Sequence, residues 1–111
     1  MQEIEFDTFA KVVMCTGTIL TAQENAKARM PSYVMTIDFG EHGIKTSSAQ
    51  LTKNYSIADL QGKQIVAVMN FAPKRIAGVK SEVLVLGAIS QDHEVVLLEP
   101  TFKVENGARI A

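Results

Sequence analysis

Ser56-Ile57-Ala58-Asp59-Leu60-Gln61-Gly62-Lys63-Gln64-Ile65-Val66-Ala67-Val68-Met69-Asn70 is the stretch that decides the fold. Residues 56–62 read as one helical turn ended by Gly62, since glycine takes the left-handed conformation that closes a helix. Residues 64–70 then read as a strand, through Ile65, Val66, Val68 and Met69. Upstream, residues 12–21 are rich in β-branched side chains, with Gly17 suggesting a bulge or tight bend. In residues 32–39, Tyr33, Met35, Ile37 and Phe39 alternate with Val34, Thr36 and Asp38, the period of a half-buried strand. Gly40-Glu41-His42-Gly43 reads as a turn into a short strand at 44–48.

Downstream, residues 71–80 read as a loop. Residues 82–89, with Val83-Leu84-Val85-Leu86, read as a fifth strand apolar enough to be buried on both sides. Residues 94–98 form a sixth, and a C-terminal extension follows. At the other end, residues 6–11 suit a short helix with Asp7 as its cap and Phe6 and Phe9 on one face. Residues 22–30 read as a polar loop closed by Pro31. Five or more short strands with a helical turn between the third and fourth is the plan of an all-β, five-stranded OB barrel. An SH3-like barrel would lack that turn, and a β-sandwich would want more strands.

Composition narrows the functional classes. The 111 residues suffice for one domain, 1–111, and 47% hydrophobic with 21% charged residues excludes intrinsic disorder. Apolar runs last only a few residues, so no membrane insertion is expected, and acidic Met1-Gln2-Glu3-Ile4-Glu5 does not read as a signal peptide. A single cysteine, Cys15, excludes an internal disulfide and a multi-cysteine metal site. The expectation is a cytoplasmic protein. Residues 44–80 hold six cations against one acid, a net of +5, while the rest of the chain carries −6. Such a segment suits an anionic partner.

Catalytic patterns are missing. His42 and His93 each sit in a polar turn, far from one another in sequence and outside any HxxxH or HExxH spacing. Ser47 and Ser48 have no glycine elbow around them. Cys15 lies between apolar neighbours and reads as a buried, inert thiol. No enzyme activity, metal or cofactor is expected.

The informative segment is Phe71-Ala72-Pro73-Lys74-Arg75-Ile76-Ala77-Gly78-Val79-Lys80-Ser81. In OB barrels the binding face is flanked by the loop after the first strand and the loop between the last two. Lys74, Arg75 and Lys80 can neutralise phosphates. Phe71 can stack on an unpaired base. The mixture of cations with Phe71, Pro73 and Ile76 suits an extended peptide equally well. The other flanking loop carries Lys27 and Arg29.

At this segment, continued from Gly62 through Lys80-Ser81-Glu82-Val83-Leu84-Val85-Leu86-Gly87, the sequence resembles the tRNA-binding OB domain appended to methionyl- and phenylalanyl-tRNA synthetases. Pro31-Ser32-Tyr33, Ile37-Asp38-Phe39-Gly40, Gly43-Ile44-Lys45 and Ser47-Ser48-Ala49-Gln50-Leu51-Thr52 narrow the resemblance to the CsaA family of free-standing, export-related chaperones. That resemblance runs from about Phe6 to Ile110. It implies a homodimer paired through its terminal elements, with a continuous groove. It also implies a binding face built from Lys74, Arg75, Lys80, Ser81, Ser47, Ser48, Gln50 and Phe71. The implied partners are tRNA and extended or unfolded polypeptide; a structural assembly module is the alternative. One departure stands out. The tRNA-binding pattern Asp-x-Arg-x-Gly reads here Val13-Met14-Cys15-Thr16-Gly17, so the glycine is kept while acid and arginine are both gone. If that arginine contacts RNA in the family, its loss lowers RNA affinity here; if it only pairs with the acid, losing both together leaves no charge unpaired.

Overall fold

The computed structural model describes residues 1–92 and 94–111. His93, expected in an exposed turn, lies outside the described residues. The chain runs α1 (Phe6–Ala10), β1 (Met14–Glu24), β2 (Tyr33–Asp38), a 3-10 turn (Gly40–His42), β3 (Ile44–Ala49), α2 (Ile57–Leu60), β4 (Gln64–Val68), β5 (Lys74–Ile76), β6 (Val79–Ser81), β7 (Leu84–Val85), β8 (Gly87–Ile89) and β9 (Val95–Leu97). Five strands form one antiparallel sheet in the order β3-β2-β1-β4-β7. The sheet curls nearly into a barrel, as the all-β OB plan requires.

Curvature enters along β1, which pairs with β4 through Met14–Thr18 and with β2 through Thr18–Glu24. The register slips between Ile19 and Thr21, so the bulge falls at Leu20 and not at Gly17. Gly17 serves a different need. A Cβ there would sit 2.5 Å from the Phe39 ring and 2.8 Å from Ile37 Cγ2, so glycine lets β1 close over the largest fully buried side chain. The core around it comprises Cys15, Ile19, Met35, Ile37, Phe39, Leu60 and Ile65, each almost inaccessible.

Closure of the barrel combines one backbone bond with two bonds to side chains. The free edge of β3 meets residues 81–83: Glu82 N donates to Thr46 O (2.8 Å), Thr46 N to Glu82 Oε1 (3.0 Å), and Ser48 N to Ser81 Oγ (3.1 Å). The helical turn sits where expected. Ser56 caps it reciprocally, its hydroxyl accepting from Asp59 N (3.1 Å) and its amide donating to Asp59 Oδ2 (2.9 Å). The C-terminal extension lies along β1, with Thr16 N donating to Ala108 O (3.0 Å) and Ile110 N to Met14 O (2.9 Å).

Four local expectations need correcting. Asp7 does not cap α1; Glu5 holds that position without a side-chain bond. Residues 22–24 continue β1, because they pair with Tyr33–Met35. Residues 74–81 form a hairpin where a loop was expected. Finally, residues 82–89 split into β7 and β8 around Leu86, leaving Leu84 49% and Ile89 73% exposed, so the segment is not buried on both sides. Gly87 lets β9 lie close against β8: a Cβ there would collide with the Val95 side chain and crowd the Val96 backbone.

Candidate nucleic-acid interface

The β5–β6 hairpin organises the site. Lys74 pairs with Ser81, Arg75 with Lys80 and Ile76 with Val79, around the two-residue turn Ala77-Gly78. Both turn residues have positive φ, 46° and 82°, as a primed hairpin turn demands. Residues opposite one another in an antiparallel pair share a face, and neighbours along a strand alternate. Arg75 and Lys80 therefore stand together on the outer face, while Lys74, Ile76 and Ser81 face the barrel. Arg75 Nη1 donates to Gly78 O across the turn (3.3 Å).

Beneath the inner face lies an apolar cleft of about 570 Å³, within the size range of ligand sites. Phe71, Pro73, Lys74 and Ile76 line it from the hairpin and the residues before it, and Ser48, Ser81 and the Glu82–Leu84 segment complete the lining. Phe71 remains 55% exposed, so the ring is presented at the cleft and not folded into the core.

The second flanking loop packs beside the hairpin tip. Asn25 organises it: Asn25 N donates to Ser32 O (3.0 Å), Lys27 N to Asn25 Oδ1 (3.1 Å), and Asn25 Nδ2 reaches Ala77 O (3.4 Å). A side chain grafted on Gly78 would meet the Lys27 stem at 3.5 Å.

Of the eight residues expected at the binding face, Lys74, Ser48, Ser81 and Phe71 line the cleft together. Gln50 lies just past the end of β3, exposed beside the second loop. Arg75 and Lys80 stand on the other side of the hairpin. Ser47 does not reach the face: it is 1% exposed, and its hydroxyl donates to Val83 O (3.2 Å) inside the barrel. Residues missed by sequence reasoning are Asn25, which joins the two loops, and Leu84, which the broken fifth strand leaves at the cleft. The cations also sort differently from the +5 segment. Lys53 pairs with Glu94 (3.1 Å) and Lys63 with Glu99 (3.8 Å), whereas Lys27, Arg29, Lys74, Arg75 and Lys80 form no ion pair among the described residues.

Cys15 lies in the core, and burial pushes its thiol above the ordinary range, with Arg109 opposing. Its side chain belongs to the core cluster and does not line the cleft. Among the described residues no group of three His, Cys, Asp or Glu side chains converges on a metal-sized site. Among the described residues no helix is long and apolar enough to cross a membrane.

Residues 14–109 match the family described as "Putative tRNA binding domain". The chain belongs to that tRNA-binding domain family. Its likeness to solved structures reaches a TM-score of 0.95 at 49% identity with the chaperone CsaA of Bacillus anthracis, covering 99% of this chain and 100% of that one. For the CsaA chaperone protein of Picrophilus torridus the values are 0.92 and 44%, covering 98% and 100%. The methionine–tRNA ligase of Thermococcus kodakarensis is 34% identical over 110 residues, which are 99% of this chain and 14% of the ligase. The chain thus spans about one-seventh of that enzyme's length. The CsaA resemblance expected from the Pro31–Tyr33, Ile37–Gly40, Gly43–Lys45 and Ser47–Thr52 strings holds over nearly the whole chain.

Proposed function

We propose that the protein is a non-enzymatic, homodimeric, CsaA-like binding protein of the cytoplasm that holds tRNA against the cationic hairpin and its neighbouring loop. The Arg75–Lys80 pair carries this reading. Like charges placed directly opposite each other across a ladder are destabilising, and no carboxylate among the described residues pairs with either. A phosphate on the outer face would relieve that repulsion, and counterion release would drive its binding. Membership of the tRNA-binding domain family supports the choice of anion.

Dimerisation is supported by apolar side chains that one barrel leaves uncovered at both ends of the chain: Ile4, Phe6, Phe102 and Val104. Pairing two copies through these elements would set two hairpins along one groove. Phe102→Asp is expected to convert the dimer to monomer in sedimentation velocity; an unchanged dimer would place the interface elsewhere.

The test of the main reading is titration of fluorescent bulk tRNA at several salt concentrations. If about six phosphates are contacted across the dimer, the log–log salt slope is about −4 to −5. A slope shallower than −1 would sink the proposal.

The cleft favours a second reading, in which the same surface holds extended polypeptide. Phe71, Pro73, Ile76 and Leu84 offer pockets for apolar side chains beside a cation. The similarity to proteins described as chaperones supports it. Phe71→Ala should weaken binding of an extended apolar peptide while Lys80→Ala leaves it nearly unchanged. Equal binding by wild type and the Phe71 variant would count against this reading. Displacement of tRNA by the peptide would put both ligands in one groove.

A further inference from the structure

On the far side of Ile76 from the cleft lies a second, smaller recess of about 270 Å³. It shares Ser48 and Ile76 with the cleft, so the two openings are neighbours along the same face. We infer that this recess is a subsite for one unpaired nucleobase of the bound RNA. The inference rests on the tRNA reading above and adds to it recognition of a base, beyond contact with phosphates.

Size is the first argument. The recess falls just below the ~300–1,000 Å³ of sites that enclose drug-sized ligands. It suits a single ring system better than a length of peptide. Ala28, Ala49 and Ala77 keep it open, and Met30 and Ile76 supply apolar and polarisable surface for a planar ring.

Hydrogen-bonding capacity is the second. Ser32 lines the recess at 6% exposure, and its Oγ is the one buried side-chain polar atom without a partner among the described residues. Buried hydroxyls are almost always bonded, so an orphan next to an opening asks for a ligand group. A hydroxyl both donates and accepts, and so does the Gln50 carboxamide at the same recess. Nucleobase edges present donors and acceptors side by side and match such a set.

Charge placement is the third. The lining includes no carboxylate, and its one cation, Arg29, is exposed, as is Lys27 on the same loop. The buried polar group is neutral, and the charges lie at the rim. A nucleotide has this arrangement, with a neutral polar ring to insert and a phosphate to leave outside. An acidic peptide side chain would instead carry its charge into a recess whose buried polar group is uncharged, which is costly.

Finally, the walls are tied together before any ligand arrives. Asn25 bonds Ser32 O on one side and reaches Ala77 O on the other. A pre-formed slot binds at lower ordering cost.

The test compares a short, fluorescent single-stranded oligoribonucleotide with an abasic strand of the same length and charge, alongside bulk tRNA. The base-bearing strand should bind about tenfold tighter, the size of one stacked or hydrogen-bonded base. Ser32→Ala and Ala28→Leu, the second plugging the recess, should each shrink that preference while thermal melting shows an intact fold. Salt-sensitive tRNA binding together with equal affinity for the two strands would overturn the subsite and leave the tRNA reading standing. A preference unmoved by both variants would likewise overturn it, because the base would then sit elsewhere. Failure to bind tRNA at low salt would overturn the tRNA reading, and the subsite with it.

Discussion

The hydroxyl of Ser81 accepts the backbone amide of Ser48 at 3.1 Å, in place of a strand partner for the edge of β3. The bond fastens the β5–β6 hairpin to the barrel and fixes the floor of the apolar cleft. Both residues line that cleft, yet one hydroxyl is already occupied as an acceptor.

Ser81→Ala would leave the Ser48 amide without its partner in a half-buried setting. An unsatisfied buried donor costs about 1–3 kcal/mol. The variant should unfold at correspondingly lower denaturant, and the hairpin amides should exchange faster with solvent. Ser81→Thr keeps the acceptor and should restore most of the loss. If Ser81→Ala matches wild type in both measurements, the bond contributes nothing to closing the barrel.

Lys80→Glu should move stability and tRNA affinity in opposite directions. It replaces the like-charge pair with Arg75 by an opposite-charge one, worth roughly 0.2–1 kcal/mol across a ladder. It also removes a phosphate contact and adds a repulsive charge. The log–log salt slope for tRNA should flatten by about 1 for each protomer engaged. A variant that binds tRNA as well as wild type would remove the outer face of the hairpin from the interface.

The barrel was legible because strand alternation, the helical turn and the glycines all agree locally. Tyr33, Met35, Ile37 and Phe39 are buried as their period-2 spacing dictates, and Gly62 ends the α2 segment with φ of 83°. The same period could have corrected the site. Ser47 and Ser48 are adjacent on one strand, so both could not face a ligand; alternation puts Ser48 out with Gln50 and Ser47 in. Other parts were not legible. The hairpin at 74–81 lacks the Asn-Gly or Asp-Gly turn that signals one, and Ala77-Gly78 reads as an ordinary loop. The break between β7 and β8 lies inside an unbroken apolar run, where composition alone cannot tell an interior strand from one with exposed faces. The ion pairs of Lys53 and Lys63 join residues far apart in sequence, so net charge per segment overstated the free cations.

Acid should loosen the helical turn between β3 and β4. The Ser56 amide and hydroxyl, both bonded with Asp59, hold its carboxyl below the usual range, with Lys63 adding to the effect and desolvation opposing it. A carboxylate depressed in the folded state contributes stability above its unfolded pKa. That contribution is lost as pH falls through the folded value. Asp92, held low first by the Ser90 hydroxyl and then by the Glu94 amide, has the same sign. The melting temperature should therefore fall as pH is lowered through the carboxylate range. Ser56→Ala should lessen that dependence. A variant with an unchanged pH profile would show that the capping box is not its source.

The hairpin turn holds the remaining prediction. Ala77 is the sole non-glycine residue with positive φ among the described residues, at 46°. The left-handed conformation costs an L-residue with a Cβ roughly 1–2 kcal/mol, and asparagine bears it best because its side chain bonds locally. Ala77→Asn should therefore stabilise the protein by a few tenths to about 1 kcal/mol in denaturant titration. Ala77→Val, with a branched Cβ, should destabilise it by more than 1 kcal/mol for the same reason. Glycine relieves the strain but adds freedom to the unfolded chain, so Ala77→Gly should fall between them. The ranking Asn above Gly above Val tests the turn type directly, since an unprimed turn would place Ala77 at negative φ and give no advantage to asparagine.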